Sequence, residues 1–135
     1  MLKTFSFDSL GDERGSLFAL EGNKSVPFDI KRVYYIVGTA DGVSRGFHAH
    51  RNLKQIVVCV TGSCRFVLDN GRKKEEIILD GPSTGLLIED LIWREMYDFS
   101  PDCVLLVLAS EHYDESDYIR DYQEFLTEVN SPRRK

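Results

Sequence analysis

The sequence predicts an all-β fold, an antiparallel β-sandwich or β-barrel with one short C-terminal helix. Short runs rich in β-branched and aromatic residues recur along the chain, and turn-forming residues separate them. Only one stretch, near the C-terminus, repeats apolar residues at helical spacing. A length of 135 residues suits one domain with a single core, which we expect to span residues 1–135.

The elements follow one another in a simple order. The runs at 64–68 and 75–79 flank a turn at 69–71, a pattern typical of a β-hairpin. Asp117 is expected to be the N-cap of the C-terminal helix. All the predicted strands lie at residues 17–20, 31–37, 54–60, 64–68, 75–79, 84–88, 92–97 and 103–108. The helical spacing is formed by Tyr118, Ile119, Tyr122, Phe125 and Leu126.

Composition restricts the possible classes of function. The net charge is −5, which argues against broad nucleic-acid binding, and the basic residues at 131–135 are expected to be a solvated end. Cys59, Cys64 and Cys103 each lie in an apolar run, so we expect buried, reduced thiols in a cytoplasmic protein. No apolar run is long enough for a signal peptide or a membrane span, so no membrane association is predicted.

A pair of histidines marks the candidate site. Gly42, His48, His50, Gln55 and Gly62 have the spacing of the first cupin motif, in which a glutamate stands where this chain has Gln55. Residues two apart on a strand face the same side, so His48 and His50 are expected to point together into the interior. The fold is therefore expected to be a cupin or jelly-roll antiparallel β-barrel, with Gln55 beside the pair on the next strand.

The same residues argue against a metal. The neutral amide of Gln55 is a poor ligand, and Arg94 stands where the later histidine ligand of metal-binding cupins would lie. A guanidinium cannot bind a cation and repels one, so no metal is predicted. The alternative is that His48 and His50 are only hydrogen-bonded interior groups, but their grouping with Arg45, Gln55 and Arg94 favours a functional site.

Four segments resemble one family, the dTDP-4-keto-6-deoxyglucose 3,4-ketoisomerases. The resemblance extends from about Phe5 to Phe125, and ordinary cupins do not share its third and fourth segments. The segments are residues 27–46, 48–55, 93–96 and 107–120. The resemblance implies a cupin that uses neither metal nor cofactor, and a homodimer, often with exchanged strands. It implies a dTDP-linked 4-keto-6-deoxy sugar as substrate and a product used in amino-sugar synthesis.

Ketone migration from C4 to C3 needs a base, a proton carrier and stabilisation of an enediolate. By resemblance, His48 is the base that removes the C3 proton, and His50 is its partner in proton transfer. Histidine suits this work because its ordinary pKa of about 6.5 lies near working pH. Arg94 and Arg14 are the candidates for stabilising the negative charge, and Tyr35 could donate to a sugar oxygen or be only a core aromatic.

Substrate binding is assigned to four further residues. Arg32 and Arg45 are expected to flank the pocket and hold the diphosphate through their guanidinium groups. Gln55 and Lys54, at the start of the next strand, are also assigned to substrate binding. Arg120 is a weaker candidate, because a salt bridge on the helix surface would explain it equally well.

Three questions remain open at this point. Arg94 predicts a gluco product, whereas the loop at 12–17 with Arg14 resembles that of galacto-forming members. One alternative function is a nucleotide-sugar 3- or 3,5-epimerase, although epimerases typically pair a histidine base with an acidic residue and a tyrosine acid. The other is a non-catalytic sugar-binding cupin.

Overall fold

Two five-stranded antiparallel sheets form the protein. The structure is a computed structural model that describes residues 1–131, so the basic residues at 132–135 lie outside the described part. The first sheet has the strand order β1-β7-β4-β9-β2, and the second has the order β10-β3-β8-β5-β6. Their strands are β1 Lys3–Ser6, β2 Arg32–Ile36, β3 Arg45–His50, β4 Gln55–Thr61, β5 Cys64–Asp69, β6 Lys74–Leu79, β7 Thr84–Ile88, β8 Trp93–Tyr97, β9 Val104–Ala109 and β10 Tyr118–Ile119.

The predicted all-β class and C-terminal helix are confirmed, with one correction to the architecture. The sheets pack face to face and are not closed into a barrel. The core between them is formed by the inward side chains of both sheets, because alternate residues of each strand face the same way. Its largest buried members include Phe66, Leu68, Leu86, Ile88 and Leu105.

The first sheet also has a covered outer face. Phe7, Val26 and Phe28, from the irregular segments around β1 and before β2, pack on Ile56 and Leu108. The predicted strand at 17–20 is wrong, since no strand forms there. Those residues belong to the loop that covers this face, where Phe18 and Leu20 contribute packing without strand pairing.

The helix α1 spans Tyr122–Val129 and begins later than predicted. Asp121, not Asp117, is its N-cap, and its side chain accepts the backbone N–H of Glu124. Tyr118 and Ile119 instead form β10, paired with His50 and Ala49 of β3. α1 packs on the outer side of β8, where Trp93 contacts Tyr122 and Phe125.

The three cysteines are buried free thiols, as predicted. Burial raises the pKa of Cys59 and Cys64 to about 12, so both stay protonated near neutral pH. The only helices within residues 1–131 are α1 and a three-residue 3₁₀ helix, Glu115–Asp117, and neither has the length or the apolar character to cross a membrane.

Candidate active site

A bulge in β3 shapes the candidate site. β3 pairs with β8, and the register shifts between Gly46 and His48, so Phe47 is an extra residue on this strand. Gly46 has a φ of 92°, and a Cβ at this position would lie 2.9 Å from the carbonyl oxygen of Arg94. Phe47 points outward and packs edge-on against Tyr97. The bulge therefore lets β3 approach β8 closely just before the histidine pair.

His48 and His50 lie side by side, as the sequence predicts. Their ring centroids are 5.0 Å apart with the rings perpendicular. The ring of Tyr118, on the neighbouring strand β10, lies 5.0 Å from that of His48 and 4.3 Å from that of His50. His48 lines an open cavity, whereas His50 is only 2% exposed behind it. The two rings thus form a front and a rear position in one site.

Arg94 lies buried beneath the histidines. Its Nη1 donates to Oε1 of Gln55, its Nη2 donates to the carbonyl of Ile92 at 3.1 Å, and Nε has no partner among residues 1–131. The amide of Gln55 in turn donates to the Tyr34 hydroxyl at 2.9 Å. No carboxylate pairs with this guanidinium in the described part of the chain, and burial lowers its pKa to about 10. Arg94 therefore keeps a positive charge with little screening.

Burial and this charge keep both histidines neutral. Desolvation, followed by the charge on Arg94, lowers the pKa of His48 to about 4 and that of His50 to about 2. Asp117 lies 3.2 Å from Nδ1 of His50, but burial and several positive charges outweigh it, and we conclude that His50 is an uncharged imidazole. Both rings therefore keep an unprotonated nitrogen near neutral pH.

A basic cavity of about 530 Å³ opens in front of His48. Arg120 pairs with Glu115 at 3.1 Å and lies over the Tyr118 ring at 4.0 Å. Arg32 lies 5.3 Å from the ring of Tyr34, and its Nε is buried without a partner within residues 1–131. The cavity is lined by Arg32, Val33, Tyr34, Ile36, Arg45, Gly46, His48, Met96, Tyr118 and Arg120. Three guanidinium groups at one opening suit an anionic ligand.

Three predicted site residues lie elsewhere in this chain. Tyr35 is 69% exposed on the outer face of β2, because neighbouring strand residues alternate, and Tyr34 takes the inward position instead. Arg14 is exposed in a loop, where it pairs with Asp12 at 2.5 Å. Lys54 lies before β4 and pairs with Asp90 at 3.8 Å. The structure therefore does not bring these three residues to the cavity.

The remaining predicted residues are brought together. His48, Arg32 and Arg45 line the cavity, while His50, Gln55 and Arg94 lie behind it, as described above. Sequence reasoning missed Tyr34, Tyr118 and Asp117. Tyr34 is one residue from the predicted Tyr35, so a one-residue error in the orientation of β2 explains that miss. Tyr118 and Asp117 were assigned to the helix, which hid their place beside β3.

The structure also bears on whether the site residues could bind a metal ion. Within residues 1–131, no group of three or more His, Cys, Asp or Glu side chains is placed to hold a metal ion. Gln55 faces the positive charge of Arg94 through its amide oxygen. The amide oxygen of Gln55 thus accepts a hydrogen bond from a guanidinium. At the same position, a metal-binding cupin has a carboxylate that binds a cation. The absence of a metal in the working protein stays a prediction.

Comparisons with known proteins agree with this geometry. Residues 1–130 match the family described as FdtA: WxcM-like, C-terminal. The TDP-4-oxo-6-deoxy-alpha-D-glucose-3,4-oxoisomerase of Aneurinibacillus thermoaerophilus is 54% identical over 91% of this chain and 88% of its own. At 20% identity, the rmlC epimerase of Mycobacterium tuberculosis shares the fold alone, with a TM-score of 0.71 over 85% of this chain and 66% of its own.

Two solved 3,4-ketoisomerases have nearly the same structure. The enzyme from Helicobacter canadensis has a TM-score of 0.93 at 51% identity, covering 96% of this chain and 98% of its own. The sugar 3,4-ketoisomerase of Thermoanaerobacterium thermosaccharolyticum, in complex with TDP, has a TM-score of 0.92 at 45% identity, covering 95% of this chain and 93% of its own. With its histidine pair, basic cavity and near-complete coverage by these relatives, this chain belongs to the FdtA family of sugar 3,4-ketoisomerases.

Proposed function

We propose that this protein is an isomerase that moves the keto group of a dTDP-4-keto-6-deoxyhexose from C4 to C3. One observation carries the proposal: an uncharged histidine lines a basic cavity, with a second uncharged histidine and a buried guanidinium directly behind it. The relatives support the substrate class, since one acts on TDP-4-oxo-6-deoxyglucose and another is bound to TDP.

The first step is removal of the proton on C3. His48 is the base, because it is the histidine that lines the cavity and its lowered pKa leaves the ring unprotonated near neutral pH. The electron pair from the C3–H bond forms the C3–C4 double bond, and the C4 carbonyl becomes an enediolate oxygen. Placing a base in this position typically contributes about 10²–10⁴-fold to the rate.

Negative charge on the enediolate is stabilised by Arg94. After burial, its charge is the next cause of the lowered pKa of both histidines, so its field is expected to reach the space where the oxygen anion forms. A fixed charge in a site with little water needs no rearrangement during the reaction. A proton then moves from O3 to O4 with His50 as its carrier, and the protonated His48 returns a proton to C4, which regenerates the base. The product is a 3-keto sugar.

The diphosphate binds to the guanidinium groups at the cavity opening. Arg32 and Arg45 are the primary contacts, because neither is paired with a carboxylate within residues 1–131. Arg120, whose charge is shared with Glu115, is a further contact. Guanidinium groups form paired hydrogen bonds with phosphate oxygens, which would orient the sugar toward His48.

Epimerisation is the second candidate, and the residues beside the base disfavour it. The residue stacked beside the rings of His48 and His50 is Tyr118, so a tyrosine acid is available. The cavity lining, however, contains no acidic residue among the described residues, and Asp117 contacts the rear histidine His50 and not the base His48. The epimerase arrangement instead pairs the histidine base itself with an acidic residue. We therefore place ketone migration first.

We also propose that the working form is a homodimer, which sedimentation of the purified protein would test.

The decisive experiment follows the sugar by NMR in D₂O. With dTDP-4-keto-6-deoxyglucose, we expect the ketone signal to move from C4 to C3 and deuterium to appear at C4. A ketone that stays at C4 with no exchange would refute the isomerase, and inversion at C3 or C5 without migration would establish an epimerase. In a parallel reaction in H₂O, where C4 keeps a proton, the H4–H5 coupling of the product reports the C4 configuration, for which Arg94 and the loop at 12–17 predict opposite outcomes.

A matched pair of variants tests the base. His48→Asn should reduce turnover by about 10²-fold or more while dTDP binding stays unchanged, because the diphosphate contacts remain. His112→Asn, an exposed histidine outside this cavity, should behave as wild type. Equal turnover in the two variants would show that His48 is not the base.

A further inference from the structure

The carboxylate of Asp117 contacts the rear histidine. Asp117 ends the 3₁₀ helix before β10, and its Oδ2 lies 3.2 Å from Nδ1 of His50. The pairing of Tyr118 with His50 in the β10–β3 ladder places Asp117 next to this ring. His50 is 2% exposed, so this carboxylate and the neighbouring rings of His48 and Tyr118 form much of its polar surroundings.

Asp117 is itself held in place from three directions. Its Oδ1 accepts the backbone N–H of Asn52 at 2.9 Å, and its carbonyl accepts the backbone N–H of Arg51 at 3.1 Å. Its own N–H donates to the carbonyl of Asp114 at 3.1 Å. Because one carboxylate oxygen is already used by Asn52, only the other faces His50. The orientation of the carboxylate toward the ring is therefore fixed.

We propose that Asp117 is a positioning residue that holds His50 in the tautomer with the proton on Nδ1 and the lone pair on Nε2. A carboxylate can only accept a hydrogen bond, so the nitrogen facing it must carry the proton. The other nitrogen is then free to take a proton inside the site. An aspartate that fixes a histidine tautomer in this way is a known device in acid–base catalysis.

The arrangement gives the two histidines different roles. His48 faces the cavity and meets the substrate, whereas His50 is oriented from behind by a residue outside the cavity. Asp117 instead lines a separate cleft of about 330 Å³ with Asn52, Glu111, His112, Tyr113 and Asp114. Substrate in the front cavity would leave this rear contact in place. The effect of Asp117 on turnover rests on the proposed function, but the tautomer assignment does not.

Asp117→Asn is a sharp test because the contact with Asn52 fixes the orientation of the new side-chain amide. The backbone N–H of Asn52 needs an acceptor, so the amide oxygen stays where Oδ1 was. The amide NH₂ then faces Nδ1 of His50 and donates to it. The ring must move its proton to Nε2 and loses the lone pair that the site uses. The shape of the side chain is almost unchanged, so folding should be preserved.

The measurement is nitrogen-15 NMR of the histidine rings near neutral pH, where protonated and unprotonated ring nitrogens are well separated. The chain has three histidines, so His48→Asn and His112→Asn spectra assign the signals. We expect His50 to be protonated on Nδ1 in the wild type and on Nε2 in Asp117→Asn. Turnover of the keto sugar should fall by about 10²-fold or more, with KM and dTDP affinity within about twofold.

Glu111→Gln is the control, since it removes a carboxylate from the same cleft, and within residues 1–131 that carboxylate forms its ion pair with exposed Lys31. It should change neither tautomer nor turnover. A wild-type His50 protonated on Nε2 would overturn the proposal even if Asp117→Asn does not fold. So would a loss of turnover in Asp117→Asn without a change of tautomer, or a change of tautomer without a loss. A wild type with the Nδ1 tautomer and no ketone migration would refute the proposed function alone.

Discussion

At the scale of single residues, Arg94 has the largest influence on the site. Its guanidinium is buried against Gln55 and acts on both histidines from below. The same charge that, after burial, lowers the pKa of both rings would also stabilise the enediolate of the proposed mechanism. In that mechanism one residue affects both the base and the anion that the base creates. Replacement by lysine would lose the fixed planar contact with Gln55 as well.

The lowered pKa of His48 predicts an unusual pH profile. If His48 is the base with a pKa of about 4, kcat/KM should change little from about pH 8 down to about pH 5. A histidine with an ordinary pKa of about 6.5 would lose about 30-fold over the same range. Initial rates of ketone migration, with circular dichroism to check folding at each pH, measure this. A decline with a midpoint near pH 6.5 would contradict the assignment.

How far single residues could be predicted depended on whether a local rule applied to them. The motif spacing identified His48, His50 and Gln55, because two-residue alternation on a strand requires no knowledge of the rest of the fold. The same rule, applied from the wrong starting point, selected exposed Tyr35 in place of Tyr34. Asp117 had no signal of its own, since its role depends on a strand pairing distant in sequence.

At the scale of elements, the bulge in β3 positions the site. A regular strand would place Phe47 opposite a β8 residue, but the bulge leaves it unpaired and brings His48 opposite Arg94. The sequence Gly46-Phe47 has no strong local signature for a bulge. Similarly, Tyr118 and Ile119 continue the helical spacing of α1, yet pairing with β3 makes them a strand. Tertiary pairing overrode local pattern in both places.

Gly46→Ala should damage the bulge. A Cβ would lie 2.9 Å from the Arg94 carbonyl oxygen, and a φ of 92° strains any residue but glycine. We expect the free energy of unfolding to fall by about 1–3 kcal/mol and, because His48 is displaced, turnover to fall by about 10²-fold. Gly81→Ala is the control, because a Cβ there meets no atom within 4 Å. Urea unfolding and kcat measure both effects, and wild-type values for Gly46→Ala would be inconsistent with a strained bulge.

At the scale of the whole molecule, the all-β class and single core followed from the spacing of short apolar runs. What the spacing did not reveal was that the two sheets remain open, since closure depends on which edge strands meet. β1 and β2 form the edges of the first sheet, and β10 and β6 form those of the second. The histidine pair lies on β3, one strand in from the β10 edge.

Burial of two neutral histidines predicts that the whole protein becomes less stable as pH falls below about 6.5. Below that value the unfolded chain binds protons that the folded chain does not, down to about pH 4 for His48 and about pH 2 for His50. Each histidine should lower the free energy of unfolding by about 2 kcal/mol by pH 5. Urea unfolding at several pH values measures the slope. His48→Asn should make it shallower and His112→Asn should not; equal slopes in all three proteins would contradict this origin.

Trp93 is the sole tryptophan of the chain, and its position makes fluorescence a selective probe. It neighbours Arg94 in sequence but faces the other side of β8, where it is 4% exposed against Tyr122 and Phe125 of α1. Its emission therefore reports the docking of the C-terminal helix, and hardly at all the occupancy of the cavity. A shift of the emission toward longer wavelengths at a lower urea concentration than the loss of the β-sheet circular dichroism would signal that α1 has separated from β8 before the sheets themselves come apart.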